Sequence, residues 1–211
     1  MTVSQPPPQR GPYAHAPRLP EGDVIDVRAL AKGAWTELEI GPGPKAGFLL
    51  ERAVTVPVAG LVGLEIRRKW ATVGDEKLAA RGFGDRARVF CEDARFALPR
   101  LGPGGSVKRV FLHFPDPWWK KRHAKRLVMG DALLAEVARL LEPGGELYIG
   151  TDVEERATLY SDVVGSNANL VPAGDEGTPH LVDHAYVARS PREHRAIADG
   201  LPVYRMLWRR R

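Results

Sequence analysis

Carboxylate side chains recur directly after short apolar runs, at the places where parallel strands of a sheet would end. Glu39 lies at the end of the run Trp35–Ile40, Glu65 follows a second run, and Asp93 follows a third. Because the carboxyl ends of parallel strands meet at one edge of a sheet, we expect these acids to lie together. Carboxylates accept hydrogen bonds from hydroxyl and amino groups and balance positive charge. The pattern indicates a site for a polar, cationic small molecule.

The glycine-rich turn after Glu39 is compatible with two cofactors. Gly41 and Gly43 begin the pattern G-x-G-x-x-G/A, and Glu65 lies roughly 20 residues further on, as in dinucleotide-binding proteins. Glu39 would repel a pyrophosphate, but it would attract the sulfonium and α-ammonium groups of S-adenosylmethionine. We therefore expect Glu39, Gly41 and Gly43 to bind S-adenosylmethionine, with Glu65 accepting from the ribose and Asp93 from the adenine. Taken singly, each acid could instead be a solvated loop residue.

Strands and helices alternate along the chain, which favours a doubly wound α/β fold with a mostly parallel sheet and helices on both faces. The patterns predict strands at 35–40, 60–65, 88–91, 108–114 and 146–151, and a terminal strand within 201–209. They predict helices at 46–53, 67–81, 130–141 and 154–164. His113 is assigned to the fourth of these strands rather than to catalysis.

The length of 211 residues fits one domain preceded by a short arm. Residues 1–20 are rich in proline and are predicted to be a flexible arm, and residues 21–211 are predicted to form the domain. No apolar run approaches the roughly 20 residues that span a bilayer, and the single cysteine, Cys91, fits a reducing cytosol. A cytoplasmic location without membrane contact is expected.

The net charge of +5 is compatible with an anionic partner, and two clusters of basic residues contribute to it. One cluster lies within 120–126 and the other within 205–211. Such runs are more often solvated surfaces, but the first follows the aromatic pair Trp118-Trp119, which favours nucleic acid. His180 and His184 are four residues apart, yet no third ligand is evident and no metal site is expected.

The segment FPDPWWKKRH at 114–123 is far more specific than these patterns. It closely resembles the signature FPDPWPKKRH of the bacterial tRNA (guanine-N7)-methyltransferase family. The resemblance continues through Lys125-Arg126, the Leu-x-Pro-Gly-Gly segment at 141–145, Thr151-Asp152 and the segment SPRE at 190–193. It runs from about residue 36 onward and leaves only the proline-rich arm outside.

The resemblance implies a Rossmann-like methyltransferase with a seven-stranded sheet and an antiparallel strand near the C-terminus. It implies methyl transfer from S-adenosylmethionine to N7 of guanine at position 46 of the tRNA variable loop, by a monomer or a homodimer. Asp116 would contact the cofactor and act as the catalytic acid. The residues implied to contact the substrate are Lys120, Asp152, Ser190 and Glu193.

Guanine N7 has a free lone pair, so its methylation requires orientation and charge stabilisation rather than a general base. Pro115 and Pro117 restrict the backbone around Asp116, which suits a residue that orients the guanine and balances its positive charge.

The sequence departs from the family pattern at Lys45, Trp119, Ala124 and Leu127, and Arg192 stands where an aromatic residue is common. Lys45, Trp119 and Ala124 leave open methylation at another RNA position. A non-catalytic RNA-binding module with the same fold is a second alternative, and a nicotinamide-dependent oxidoreductase rests on glycine spacing alone.

Overall fold

The structure, a computed structural model, describes residues 12–115 and 130–211. The strands are β1 (Ile25–Asp26), β2 (Trp35–Ile40), β3 (Ala59–Leu64), β4 (Ala87–Phe90), β5 (Leu101–Gly102), β6 (Val107–His113), β7 (Leu141–Thr151), β8 (Leu170–Pro172), β9 (His180–Leu181) and β10 (Tyr204–Arg210). The helices are α1 (Gly47–Thr55), α2 (Arg68–Ala80), α3 (Ala94–Ala97), α4 (Asp131–Leu140), α5 (Glu154–Gly165) and α6 (Pro191–Ala198).

The main sheet has the order β4-β3-β2-β6-β7-β10-β8, with β9 also paired to β10. The first five strands in this order are parallel, and β10 is antiparallel to its neighbours. The predicted α/β fold with an antiparallel strand near the C-terminus is therefore confirmed. The sheet has eight strands rather than seven, because β8 and β9 are too short to produce a period-two pattern.

Helices cover both faces of the sheet. Val110 and Leu112 of β6 pack with α4 and α5, whereas Phe111 between them packs with α1 and α2. This alternation follows from the period of two along a strand, and it explains why the central strands are apolar on both sides. No helix in the described part of the chain is both long and apolar enough to cross a bilayer.

The predicted arm is described from residue 12 onward, and part of it packs against the domain. Ala16 and Leu19 are buried, and the Pro17 carbonyl accepts a hydrogen bond from the Cys91 amide. Arg18 forms an ion pair with Glu92. Residues 16–19 are thus held beside the end of β4, while the division of the chain at residue 20 stays a prediction.

The basic residues of β10 bond mostly within the protein. Arg205 donates to Glu193 at 2.8 Å, and Arg209 pairs with Glu146 at 3.2 Å. Arg210 donates to the carbonyls of Arg139 and Leu141. Arg205 and Arg210 of the 205–211 cluster are therefore occupied within the protein, whereas Arg209 is paired but half exposed.

A buried ion pair connects α1 to the sheet. The carboxylate of Glu37 on β2 accepts two hydrogen bonds of 2.8 Å from Arg52, and their side chains are 1% and 5% exposed. Arg109 on β6 donates to the same carboxylate at 3.0 Å. Burial alone would raise the pKa of Glu37, but the two guanidinium groups outweigh it and hold the pKa below its usual value.

Replacing Arg52 with leucine is expected to lower the free energy of unfolding by about 2 kcal/mol, because Glu37 keeps only Arg109 as a cationic partner. Urea unfolding followed by circular dichroism measures this change. Arg28→Leu removes an exposed arginine from a pair with Asp26 and should leave the urea midpoint almost unchanged. Equal midpoints for the Arg52 variant and the wild type would contradict the assignment of a stabilising buried pair.

Candidate active site

A cavity of about 870 Å³ lies at the carboxyl ends of the parallel strands. Glu39 of β2, Glu65 after β3 and His113 of β6 line it, together with Asp93 and Asp152, which follow β4 and β7. The expectation that the acids of the first strands lie together is met by their positions. The roles assigned to them remain proposals.

The glycine-rich turn forms one wall of the cavity, and its backbone is left-handed at several positions. Gly41 and Gly43 have φ values of 71° and 67°. Lys45, which stands where the family has a third glycine, has a φ of 69°. A residue with a Cβ atom rarely adopts this backbone conformation without strain. The family preference for glycine at the position of Lys45 therefore has a direct physical reason.

Glu65 holds this turn in place. Its Oε2 accepts a hydrogen bond of 3.0 Å from the Gly43 amide, and its Oε1 accepts one of 2.8 Å from the Arg67 amide. The residue is 3% exposed and lines the cavity. Glu65 thus holds the turn from within the cavity wall, and its carboxylate is an acceptor that suits a ligand with hydroxyl groups.

Glu39 and His113 form a hydrogen-bonded pair within the wall of the cavity. Nδ1 of His113 lies 2.9 Å from Oε1 of Glu39, and both side chains are almost fully buried. The second oxygen, Oε2 of Glu39, is buried and has no hydrogen-bond partner within 12–115 and 130–211. Because Glu39 lines the cavity, a ligand with an N–H group can satisfy this buried oxygen.

Asp93 follows β4 at one edge of the sheet and caps the N-terminus of α3. Its carboxylate accepts hydrogen bonds from the backbone and the side chain of Arg95. The side-chain bonds from Arg95 hold the pKa of Asp93 below its usual value. Asp93 is therefore an anion at neutral pH, with the acceptor character that binding of an adenine amino group requires.

Helix α6 covers another side of the cavity. Ser190 begins the helix by accepting a hydrogen bond from the Glu193 amide, and Ser190, Arg192 and Arg195 line the cavity. Asp152 accepts from Arg192 at 2.6 and 3.1 Å. The residue that replaces the usual aromatic thus pairs with a predicted substrate-binding acid.

Glu193 does not line the cavity, unlike the other described residues predicted to contact the substrate. Its side chain is fully buried and pairs with Arg205 at 2.8 Å and with His184 at 3.2 Å. Burial alone would raise the pKa of Glu193, but His184 and Arg205 outweigh it and hold the pKa below its usual value. Glu193 thus anchors α6 to β10.

Asp116 and Lys120 lie outside the described residues, as does the rest of the aromatic and basic segment. Phe114 and Pro115, the two residues that precede this segment, both line the cavity. Phe114 has a φ of 45° and donates its amide to the Gly150 carbonyl. Asp116 therefore follows directly on two residues of the cavity wall.

Sequence reasoning missed His113, Arg195 and the whole of α6. The segment Ser190-Pro191-Arg192-Glu193 has the sequence pattern of a capping box with proline at the first helical position, which could have predicted this helix. Of the two histidines considered as ligands, His180 is exposed and the His184 side chain is buried beside Glu193. Within the described ranges, no three His, Cys, Asp or Glu residues are placed to hold a metal.

The fold and a family model together define a methyltransferase. A model described as a putative methyltransferase matches residues 34–206. The 16S rRNA (adenine(1408)-N(1))-methyltransferase of Catenulisporales acidiphilia, in a structure with cosubstrate S-adenosylmethionine, is similar with a TM-score of 0.57 and 15% identity, over 87% of this chain and 88% of that one.

Sequence relatives identify the family. The tRNA (guanine-N(7)-)-methyltransferase of Myxococcus xanthus is 38% identical over 80% of this chain and 80% of the relative. That of Paramagnetospirillum magneticum is 41% identical over 92% of this chain and 81% of the relative. The chain belongs to the tRNA (guanine-N7)-methyltransferase family.

The cavity fits S-adenosylmethionine, the cofactor that the resemblance to this methyltransferase family implies. Oε2 of Glu39, which has no hydrogen-bond partner among the described residues, is a buried acceptor that matches an α-ammonium group. The position of Glu39 next to the glycine turn would repel the pyrophosphate of a dinucleotide, so the charge of the site disfavours the oxidoreductase alternative.

Proposed function

We propose that this protein transfers the methyl group of S-adenosylmethionine to N7 of guanine at position 46 of tRNA. The observation that carries the proposal is the cluster of acids at the strand ends, in which Glu39 has one buried oxygen without a partner among the described residues. Two relatives of the same name, 38% and 41% identical, support the tRNA substrate. The site of action would be the cytoplasm.

In the proposed site, Glu39, Gly41, Gly43, Glu65 and Asp93 bind the cofactor. When bound, the cofactor supplies an electrophilic methyl group on a sulfonium. Asp116 follows the cavity wall and would hold the guanine so that N7 faces this methyl group, while its carboxylate balances the positive charge that the base gains.

The substrate would enter past α6. Ser190 and Asp152 lie at the cavity wall, and Lys120 is proposed to contact the tRNA backbone. Glu193 is proposed to act indirectly, because its buried carboxylate holds α6 against β10 through Arg205.

Incubation with bulk tRNA and labelled S-adenosylmethionine, followed by nucleoside analysis, tests the proposed function. The expected product is 7-methylguanosine, and a transcript with adenine at position 46 should accept no label. Another methylated nucleoside would identify a diverged enzyme. Cofactor binding without turnover on any RNA would instead support the non-catalytic RNA-binding module.

Arg195→Ala is expected to weaken tRNA binding about fivefold, with a slope of log affinity against log salt that is shallower by about one. Arg195 lines the cavity and has no ion-pair partner within the described ranges, so its charge is available to a phosphate. Filter binding at several salt concentrations measures both quantities. Arg81→Ala removes an exposed arginine outside the cavity and is the matched control. Equal salt slopes for the two variants would contradict a contact between Arg195 and a tRNA phosphate.

A further inference from the structure

We infer that His113 is a positioning residue that holds Glu39 so that one carboxylate oxygen faces the α-ammonium group of the cofactor. The inference rests on the proposed function, since it concerns a residue of the proposed cofactor site. His113 lies on β6 and Glu39 on the neighbouring strand β2, where Glu39 is in register with Phe111. His113 is therefore two residues further along β6 on the same face of the sheet.

The hydrogen bond between the two side chains has a defined direction. Glu39 as a carboxylate can only accept, so the proton of the 2.9 Å contact belongs to Nδ1 of His113. This bond occupies Oε1 of Glu39 and leaves Oε2 without a partner within the described ranges. Both residues line the cavity, and their side chains are 3% and 2% exposed.

Aromatic rings hold the imidazole in this orientation. The ring centroid of His113 lies 4.1 Å from that of Phe48, 5.7 Å from that of Phe111 and 5.5 Å from that of Tyr148. The Phe111 ring is stacked on it with an interplanar angle of 11°. A ring enclosed on several sides cannot turn freely, so Nδ1 stays directed at Glu39.

The group that Oε2 of Glu39 receives must be a hydrogen-bond donor. The α-ammonium group of the cofactor has N–H donors, whereas its sulfonium has none, so the ammonium is the matching partner. Holding the carboxylate in place before binding removes the entropy cost of ordering it on binding. His113 thus increases affinity for the amino acid part of the cofactor and not for its nucleoside part.

Two substitutions separate the donor from the ring. His113→Phe keeps an aromatic ring and removes the donor, and His113→Asn keeps a donor near the Nδ1 position and removes the ring. The ligands are S-adenosylhomocysteine, which carries the α-ammonium group, and 5′-methylthioadenosine, which lacks the amino acid part. Isothermal titration calorimetry measures both affinities.

His113→Phe should weaken S-adenosylhomocysteine about tenfold, while His113→Asn should stay within about threefold of the wild type. Binding of 5′-methylthioadenosine should not change in either variant. In a Glu39→Gln background, His113→Phe should produce no further loss. Weakening of both ligands together, or equal losses for the two variants, would show a merely structural role and overturn the inference.

Nitrogen-15 NMR of the wild-type imidazole gives a test without substitution. A proton on Nδ1 of His113 supports the inference, and a neutral ring protonated on Nε2 overturns it. If the wild type binds neither ligand, the proposed function itself fails; if it binds S-adenosylhomocysteine and His113→Phe binds equally well, only the positioning role fails.

Discussion

Replacing Glu65 with glutamine is expected to weaken binding of S-adenosylhomocysteine by about a hundredfold, nearly as much as replacing it with alanine. Each carboxylate oxygen accepts from a backbone amide, Oε2 from Gly43 and Oε1 from Arg67. A glutamine side chain has one oxygen and one NH₂ group. In either orientation the NH₂ group meets an N–H donor, so the glycine turn loses its support and a ribose hydroxyl loses an acceptor.

Calorimetric titration of the two Glu65 variants with S-adenosylhomocysteine measures the effect. Glu155→Gln makes the same chemical change at an exposed position on α5 and should bind the ligand like the wild type. The Glu65→Gln variant could instead bind the ligand within threefold of the wild type while the alanine variant does not. Ligand binding would then not depend on hydrogen bonds to both Glu65 oxygens, and the role assigned to the carboxylate would be wrong.

Asp116→Asn is expected to slow methyl transfer by about a thousandfold, at the upper end of what one electrostatic stabiliser contributes. Attack by guanine N7 leaves positive charge on the base, and a carboxylate balances this charge whereas an amide does not. Asp116 directly follows Phe114 and Pro115, which line the cavity after β6. This position in the sequence supports a role for Asp116 at the site of methyl transfer.

Single-turnover kinetics at saturating tRNA and S-adenosylmethionine isolate the chemical step, and a separate titration gives cofactor affinity. The rate should fall far more than the affinity. Asp131→Asn, at an exposed position at the start of α4, is the matched control and should leave the rate unchanged. A variant at position 116 with near-normal turnover would exclude the catalytic role.

The parallel core of the sheet and the grouping of the acids could be predicted because both depend on local patterns. An apolar run followed by an acid identifies a strand and its end, as with Glu39 and Glu65. The position of the ligand site, at the carboxyl ends of the strands, then follows from a general rule for open α/β sheets. No knowledge of distant contacts is needed for this step.

The remaining parts of the site depend on contacts between distant residues. The pairing of His113 with Glu39 spans 74 positions and requires the register of β6 against β2. The burial of Glu193 depends on Arg205, which a motif comparison does not reveal. The strands β8 and β9 contain three and two residues and are formed only because β10 lies beside them.

The position of β10 within the sheet has a consequence for biosynthesis. Residues 204–210 pair with β7 on one side and with β8 on the other, and the Arg211 amide donates to Asn169. The ribosome makes this strand after every other described element. Until it emerges, the backbone of β7 has an unpaired edge and the buried position of Trp208 is empty. We therefore expect a nascent chain interrupted before residue 204 to expose apolar surface of the kind that chaperones and proteases recognise.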